Sequence, residues 1–317
     1  MKTIKREDIH ILAKHSKLSE PQIDRALKNE VFHDEADWSN FLKYALLALG
    51  IGFFAAGVIF FFAYNWDELD KFAKLALTQI IVIIICVLAL LPKLNPTTRK
   101  ILLTGASLLV GVMFSVFGQI YQTGANAYDF FLAWTLFIGI WVLISNFPPL
   151  WLLFLGLINT TLILYSVQVA KHWDDSLIFS ILFVVNLIPL VFTHLLNQSP
   201  IKISIPTYFS NIVALAALTF ATIGNIVCIY DSSTGFQFIP VLTTVFYGIG
   251  IGYGIKHRSI FYLSAIPLSI IIILSALLLE KLGWEESYLL VSLFILLSVS
   301  AVIYNLVNML KQKRNER

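Results

Sequence analysis

Two long apolar runs separated by a short break stand at residues 129–168, which read DFFLAWTLFIGIWVLISNFPPLWLLFLGLINTTLILYSVQ. The break, Asn146-Phe147-Pro148-Pro149, divides run 129–146 from run 149–168, and Asp129 is the only charged residue of the stretch. A helix needs about 20 mostly apolar residues to cross the hydrocarbon layer of a bilayer. The stretch therefore predicts two consecutive membrane-spanning helices joined by a tight turn.

The composition of the whole chain agrees with this local pattern. The 317 residues are 58% hydrophobic and 13% charged, and their mean hydropathy is +0.82. A soluble domain has about twice that share of charged residues, because its surface must be polar, whereas a membrane protein presents apolar side chains to lipid. We therefore predict an all-α, polytopic integral membrane bundle.

Eight further apolar runs of similar length bring the predicted number of spans to ten. The additional runs are 42–64, 72–91, 100–118, 176–195, 207–229, 237–255, 259–279 and 287–308. With an N-in, C-in orientation, four of the 22 Lys and Arg residues lie outside, namely Lys71, Lys74, Lys171 and Lys281, and the other 18 lie on the cytoplasmic side. Lys and Arg are retained on that side in membrane proteins, so the charge distribution predicts that both termini are cytoplasmic.

The first 40 residues differ from the rest of the chain because they are charged and contain no long apolar run. Ser19-Glu20-Pro21-Gln22 has the arrangement of a helix-capping box, and an apolar stripe follows at Ile23, Ala26, Leu27 and Val31. We predict a cytoplasmic helical segment at 1–40, a transmembrane domain at 41–310 and a basic cytoplasmic tail at 311–317. The stripe of the first segment must be covered by itself, the membrane face, the cytoplasmic loops or a protein partner.

The sequence offers little support for catalysis, cofactors or metals. Charged residues fall at the ends of spans or in loops, and no standard catalytic motif is present. Cys86 and Cys228 lie alone in apolar runs, and His172 with Asp174 and Asp175 is better explained as a solvated loop than as a metal site. No basic run interleaved with aromatic residues suggests nucleic acid. We expect no enzymatic activity, no cofactor and no metal.

Polar residues inside the spans are amides and small hydroxyls rather than ionisable groups. These residues are Gln79, Gln119, Asn159, Thr160, Thr161, Gln168, Asn186, Asn211 and Asn225. They either form hydrogen bonds between helices or line a polar cavity for an uncharged or zwitterionic ligand. The sequence leaves both explanations open. Small residues at four-residue spacing predict close helix packing; they are Gly52 with Ala56, and Gly248, Gly250, Gly252 and Gly254.

Two motifs carry a resemblance to a known family. The first is AYNWDELDKFAKLAL at 63–77, and the second is LLVGVMFSVFGQIYQTGANAYDFFLAWTLFIGIWVL at 108–143. Together with the N-terminal helical segment they resemble the bacterial membrane-protein family called domain of unknown function 2157, over about residues 5–165. The resemblance implies a bacterial inner-membrane location and no particular substrate. The chain departs from the family's pattern where Gln122-Thr123 replaces a His-containing sequence after Tyr121.

The ends of the first and third spans are the strongest candidate site. Trp66, Tyr121 and Trp134 suit the aromatic belt at the membrane interface, which is the structural explanation of these residues. We hypothesise one extracytoplasmic-facing polar pocket that binds or transports a small or lipid-like molecule, formed by Asn65, Asp67, Gln119, Tyr121 and Asp129. Two alternatives remain: a membrane scaffold or sensor that signals to a protein partner through residues 1–40, and a membrane-embedded enzyme acting on lipid.

Overall fold

The fold is an all-helical bundle, seen in a computed structural model that describes residues 19, 22–23, 35–121, 124, 126–198, 205–231 and 238–315. These residues form ten helices and no strand: α1 Glu35–Tyr64, α2 Lys71–Leu90, α3 Pro96–Tyr121, α4 Ala127–Ser145, α5 Pro148–Gln168, α6 Asp175–Gln198, α7 Thr207–Tyr230, α8 Phe238–His257, α9 Ile260–Leu282 and α10 Trp284–Asn315. All ten are long and apolar enough to cross a membrane. The predicted class and number of spans are confirmed.

The predicted span limits lie within four residues of the helix ends except at the start of α1 and the end of α10, where the helices extend seven residues further. The start of α3 shows why the limits differ. This helix begins at Pro96 rather than at residue 100. The Asn95 side chain accepts a hydrogen bond from Thr98 N at 2.8 Å, and Arg99 Nε donates to Ala89 O of α2 at 2.9 Å. The helix therefore continues through charged residues that a hydropathy criterion excludes, since their polar ends reach partners at the membrane edge.

Contacts between helix ends show how neighbouring helices alternate in direction. Tyr128 N at the start of α4 donates to Gln168 Oε1 at the end of α5, and Arg99 near the start of α3 donates to Ala89 O at the end of α2, so both consecutive pairs are antiparallel. Tyr230 at the end of α7 donates to Ala276 O late in α9, as expected if α8 runs opposite to both. We call the end that carries the α1–α2, α3–α4, α5–α6, α7–α8 and α9–α10 connections the acidic end. The opposite end, with the α2–α3, α4–α5, α6–α7 and α8–α9 connections, is the basic end.

The first five helices pack around α3, half of whose span is buried. Small residues on α3 allow its neighbours to come close: a Cβ on Gly105 would meet Ile51 of α1 at 2.6 Å, and one on Gly111 would overlap the Trp134 ring of α4. The buried residues of this core are Ala55, Val58, Phe62, Val82, Leu109, Val110, Val112, Val116, Ile138, Val142, Leu150 and Leu157.

The second group of helices packs as α6 to α9, with α10 held mainly against α9. Its core consists of Phe183, Leu187, Ala217, Ala221, Tyr247 and Ile266. Helix α5 joins the two groups because it contacts both α6 and α7. Leu155 of α5 packs with Phe209 and Val213 of α7, and Asn159 of α5 exchanges two amide hydrogen bonds with Asn186 of α6, at 2.8 and 3.2 Å.

The glycines expected to mediate helix packing divide between two faces. A Cβ on Gly250 would lie 2.5 Å from Ile266 Cδ1, and one on Gly254 would lie 3.0 Å from Leu263 Cδ2, so both form the α8–α9 contact. At Gly52, Gly248 and Gly252 a Cβ would meet no described atom within 4 Å, while the companion residue of Gly52, Ala56, is half-buried. The spacing identifies helix faces that allow close approach, but the tertiary arrangement selects which face has a neighbour.

Trp134, which was expected to be a membrane-interface anchor, packs against α3. Its indole Nε1 donates to Ser107 O of α3 at 2.7 Å, and the ring lies directly above Gly111. The carbonyl and the space above a glycine together hold the ring between two helices. In the predicted segment 1–40, Ser19 N donates to Gln22 Oε1 at 3.0 Å as a capping box requires, and residues 35–40 form the start of α1. Apart from Ile23, the other residues of that segment lie outside the described residues.

Candidate functional site

The Asn65-Trp66-Asp67 motif lies at the acidic end, where it forms the connection between α1 and α2. Asn65 Nδ2 donates to Phe61 O at 2.9 Å and so satisfies a carbonyl in the last turn of α1. Asp70 Oδ1 accepts from Phe72 N at 2.8 Å and from Ala73 N at 3.1 Å, which caps the start of α2. The Asp67 side chain is exposed. Local hydrogen bonding therefore explains part of this motif.

The other three residues of the predicted pocket lie at the same end of the bundle. Gln119 and Tyr121 are exposed in the last turn of α3, and the Tyr121 ring packs 4.6 Å from the ring of Phe117. Asp129 Oδ2 accepts from Asn126 N at 3.1 Å, in a capping box at the start of α4. In the described part of the chain, no hydrogen bond joins any two of the five, so a shared pocket stays a prediction.

Trp66 covers a buried lysine. The Lys74 ammonium lies 3.9 Å from the centre of the Trp66 ring, and the lysine side chain is only 8% exposed. A cation over an indole face is stabilised by the electrons of the ring, so the pair holds the α1–α2 connection against α2. Trp66 thus combines its place near the membrane edge with a contact inside the first core.

A cavity of about 200 Å³ lies in the second group of helices, nearer the basic end. We call it the α6–α9 cavity, after the four helices that form its wall. The lining residues are Phe183, Leu187, Leu190, Val191, Thr193, His194, Ser210, Ala214, Ala217, Leu218, Phe246, Tyr247, Ile249, Gly250, Tyr253, Tyr262 and Ile266. Most of them lie in the halves of their helices that point toward the basic end, and Phe183, Phe246 and Tyr247 lie just beyond the midpoints of α6 and α8.

Small side chains and an open helix pair create the space. Ala214 and Ala217 of α7 and Gly250 of α8 contribute little volume to the wall. Helix α6 packs along the length of α7, whereas its contact with α8 is slight. Val191 of α6 is 44% exposed and Ile249 of α8 is 61% exposed, so the cavity opens sideways between these helices toward lipid.

Two hydroxyl groups in the wall, those of Thr193 and Tyr247, have partners within the protein. Thr193 Oγ1 donates to Leu190 O at 2.8 Å, and Tyr247, Ser269 and Thr222 form a chain of hydrogen bonds that ends at Leu218 O. Because the terminal carbonyl can only accept, Thr222 donates to it, Ser269 donates to Thr222, and Tyr247 donates to Ser269. An apolar ligand can therefore lie against these two hydroxyl groups without separating either from its partner.

Four rings surround the mouth of the cavity at the basic end. The Tyr253 ring is central: its centre lies 5.2 Å from that of His194, 4.3 Å from that of His257 and 5.4 Å from that of Tyr262. Among the described residues, no group of three or more His, Cys, Asp and Glu side chains could hold a metal ion. The two imidazoles at the mouth are thus placed against an aromatic ring rather than in a ligand cluster.

Sequence reasoning missed this cavity and directed attention to the other half of the chain. Its polar mouth residues, His194, Tyr253, His257 and Tyr262, come from three helices and have no common motif. One signal in the sequence could have indicated the cavity. The small residues Ala214, Ala217 and Gly250 occur in spans whose other residues are mostly bulky. Such small residues predict close packing as readily as empty space.

The comparisons with known proteins agree with the fold and assign no activity. A family model described as "Predicted membrane protein (DUF2157)" matches residues 12–151, which confirms the resemblance expected for the first part of the chain. The match ends near the start of α5, so it does not include the α6–α9 cavity. No curated protein matches the chain, and no solved structure matches it.

Proposed function

We propose that this protein binds a lipid-like molecule in the α6–α9 cavity and does so without chemical transformation. The observation that carries the proposal is an apolar cavity that opens between α6 and α8 toward lipid. We place the protein in the bacterial inner membrane with its N terminus in the cytoplasm, as the Lys and Arg distribution favours. The mouth of the cavity then lies at the cytoplasmic leaflet.

The size of the cavity suits a chain segment rather than a whole lipid. A protein cavity of about 150 Å³ lined by apolar side chains admits benzene, and the α6–α9 cavity is somewhat larger, at about 200 Å³. Its aromatic and aliphatic walls match a hydrocarbon chain in polarity. The remainder of the ligand would extend through the lateral opening beside Val191 and Ile249.

The five acidic-end residues predicted from the sequence are not part of this site. Asn65, Gln119 and their companions lie at the opposite end of the bundle and on the other group of helices. A polar pocket there would be a second site, and the present proposal does not depend on it.

Photolabelling tests the proposal directly. The purified protein in neutral-lipid nanodiscs is irradiated with a single-chain amphiphile that carries a diazirine near the end of its chain, and the labelled peptides are identified by mass spectrometry. We expect label on α6, α7 and α8 at cavity residues such as Leu187, Leu218 and Phe246. Labelling concentrated on the lipid-exposed helix α10 instead would contradict the proposal.

A matched pair of substitutions separates cavity binding from general contact with lipid. Ala217→Leu adds a side chain that fills the cavity, so we expect cavity labelling to fall by about tenfold while the thermal stability is kept or raised. Ala216→Leu makes the same change on the neighbouring residue, which is half-buried and not in the wall, and it should leave labelling unchanged. Equal labelling of the two variants would overturn the assignment.

A further inference from the structure

The connections at the two ends of the bundle differ in charge. Glu35 and Asp37 stand in the first turn of α1, at the basic end, but every other Asp and Glu of residues 35–315 lies at the acidic end: Asp67, Glu68, Asp70, Asp129, Asp174, Asp175, Asp231, Glu280, Glu285 and Glu286. From α2 to α9 the connections of the basic end and the helix turns next to them carry Lys93, Arg99, Lys100, Lys202, Lys256 and Arg258. Any ligand whose head lies at the mouth of the α6–α9 cavity therefore faces positive charge.

Two basic side chains lie on the same helix face as the cavity wall. Lys256 follows Ile249 by seven residues and His257 follows Gly250 by seven, which is about two helical turns in each case. The His257 ring also contacts Tyr253, a lining residue. Lys256 is exposed, so its ammonium can reach a head group just outside the lateral opening.

In a membrane, the head group of a lipid is the part by which a binding site can distinguish it from other lipids. A lipid hydrocarbon chain that moves from the bilayer into an apolar cavity exchanges one hydrocarbon environment for another. Its burial therefore contributes much less to the free energy of binding than burial from water would. Lipids with similar chains must then be distinguished by their heads. A basic residue at the surface favours an anionic lipid by about 1 kcal/mol, which is about a fivefold effect on binding.

We infer that the ligand of the α6–α9 cavity is an anionic membrane lipid that inserts one chain between α6 and α8 and places its acidic head beside Lys256 and His257. This inference rests on the proposed function, because it names the class of molecule for the same cavity. The shared chemistry is a phosphate or carboxylate on a hydrocarbon chain. The lateral opening to lipid favours a membrane lipid over a free anion from the cytoplasm.

Competition against the photoreactive amphiphile tests the inference. Tetradecyl phosphate and the uncharged tetradecyl octaethylene glycol ether have the same chain and differ in the head. We expect the phosphate to displace the label at a concentration at least about fivefold lower than the uncharged ether does, and we expect inorganic phosphate alone to have no effect. Added salt should reduce the difference.

Lys256 variants connect the preference to this residue. Lys256→Gln should remove most of the preference for tetradecyl phosphate and leave displacement by the uncharged ether unchanged, while Lys256→Arg should retain the preference. Lys93→Gln is the control, because it removes the same charge from an exposed position at the basic end in the other helix group. An unchanged preference in Lys256→Gln would overturn the role of this residue.

The remaining outcomes distinguish failure of the inference from failure of the proposed function. Equal displacement by the two amphiphiles would show that the cavity binds chains without regard to charge, which contradicts the inference and leaves the proposed function intact. Displacement by inorganic phosphate alone would indicate a free-anion site and contradict the membrane-lipid source. Absence of cavity labelling in the unsubstituted protein would overturn both.

Discussion

At the residue scale, several polar side chains that suggest ligand chemistry are occupied at helix ends. Asn65 satisfies a carbonyl of α1, Asp70 caps α2, and Asp129 completes the capping box of α4. The first and last turns of every helix leave backbone groups without partners, and these groups are costly to bury near a membrane. A polar motif at the end of a span therefore has a structural explanation before it has a functional one.

Trp134 gives a residue-scale prediction. Trp134→Phe keeps a ring above Gly111 but removes the indole hydrogen bond to Ser107 O, so we expect the free energy of unfolding to fall by about 1 kcal/mol. The measurement is thermal or denaturant unfolding of the purified protein in detergent. Trp141→Phe is the control, because Trp141 is half-buried in the same helix and its described contact is a ring packing with Phe137. Equal losses in the two variants would show that the hydrogen bond contributes nothing.

At the scale of elements, several helix pairs are held by small residues and interhelical hydrogen bonds. Gly224 of α7 lies against Ile239 of α8 and Phe179 of α6, and Asn225 Nδ2 donates to Thr243 Oγ1 of α8 at 2.9 Å. Hydrocarbon outside the bundle is as apolar as the side chains inside it, so close packing and hydrogen bonds specify which helices meet. The amides of the spans thus serve interhelical contacts at Asn159, Asn186 and Asn225.

The Asn159–Asn186 pair tests this at the α5–α6 contact. Asn186→Leu and Asn159→Leu should each destabilise the protein, and the double variant should lose less than the sum of the two, since each single change leaves one amide unpaired. We expect a coupling energy of about 0.6 to 1.7 kcal/mol, measured by unfolding of the four proteins in a double-mutant cycle. Thr160→Val is the control, because its hydroxyl bonds only within its own helix in the described structure. Additive losses would contradict coupling across the contact.

At the scale of the whole molecule, two groups of helices meet at α5, and the acidic residues of the connections between helices are concentrated at one end of the bundle. The first group has a continuous core around α3, and the second encloses the α6–α9 cavity. The family match covers the first group and the beginning of α5. The two groups therefore differ in packing, since one has a continuous buried core and the other contains a cavity.

The orientation of the bundle is testable through cysteine accessibility. After Cys86 and Cys228 are replaced by Ala, single cysteines are introduced by Lys171→Cys, Asp174→Cys, Lys93→Cys and Lys256→Cys. In intact cells we expect a membrane-impermeant maleimide to label the first two, at the acidic end, and to label the last two only after permeabilisation. The reverse pattern would show that the basic end faces outward, which would also move the mouth of the cavity to the outer leaflet.

The sequence by itself determined the class of the protein, the ten spans and most of their limits to within four residues, because each is a local property of about 20 consecutive residues. It also determined which connections between the spans are acidic and which are basic, since that follows from the loops once the spans are counted. The start of α3 was not predicted correctly from the sequence. The helix begins at Pro96, before the apolar run, and includes the charged residues Arg99 and Lys100.

Only the tertiary structure decided which helix faces meet, and therefore where a ligand can bind. Trp134 lies against Gly111, Asn159 pairs with Asn186, and the cavity collects side chains from four helices that are separated along the chain. The physical reason is that lipid-facing and helix-facing sides of a membrane span are both apolar, so hydrophobic periodicity carries little information about partners. The contacts that form the α6–α9 cavity exist only once α6, α7, α8 and α9 have packed together.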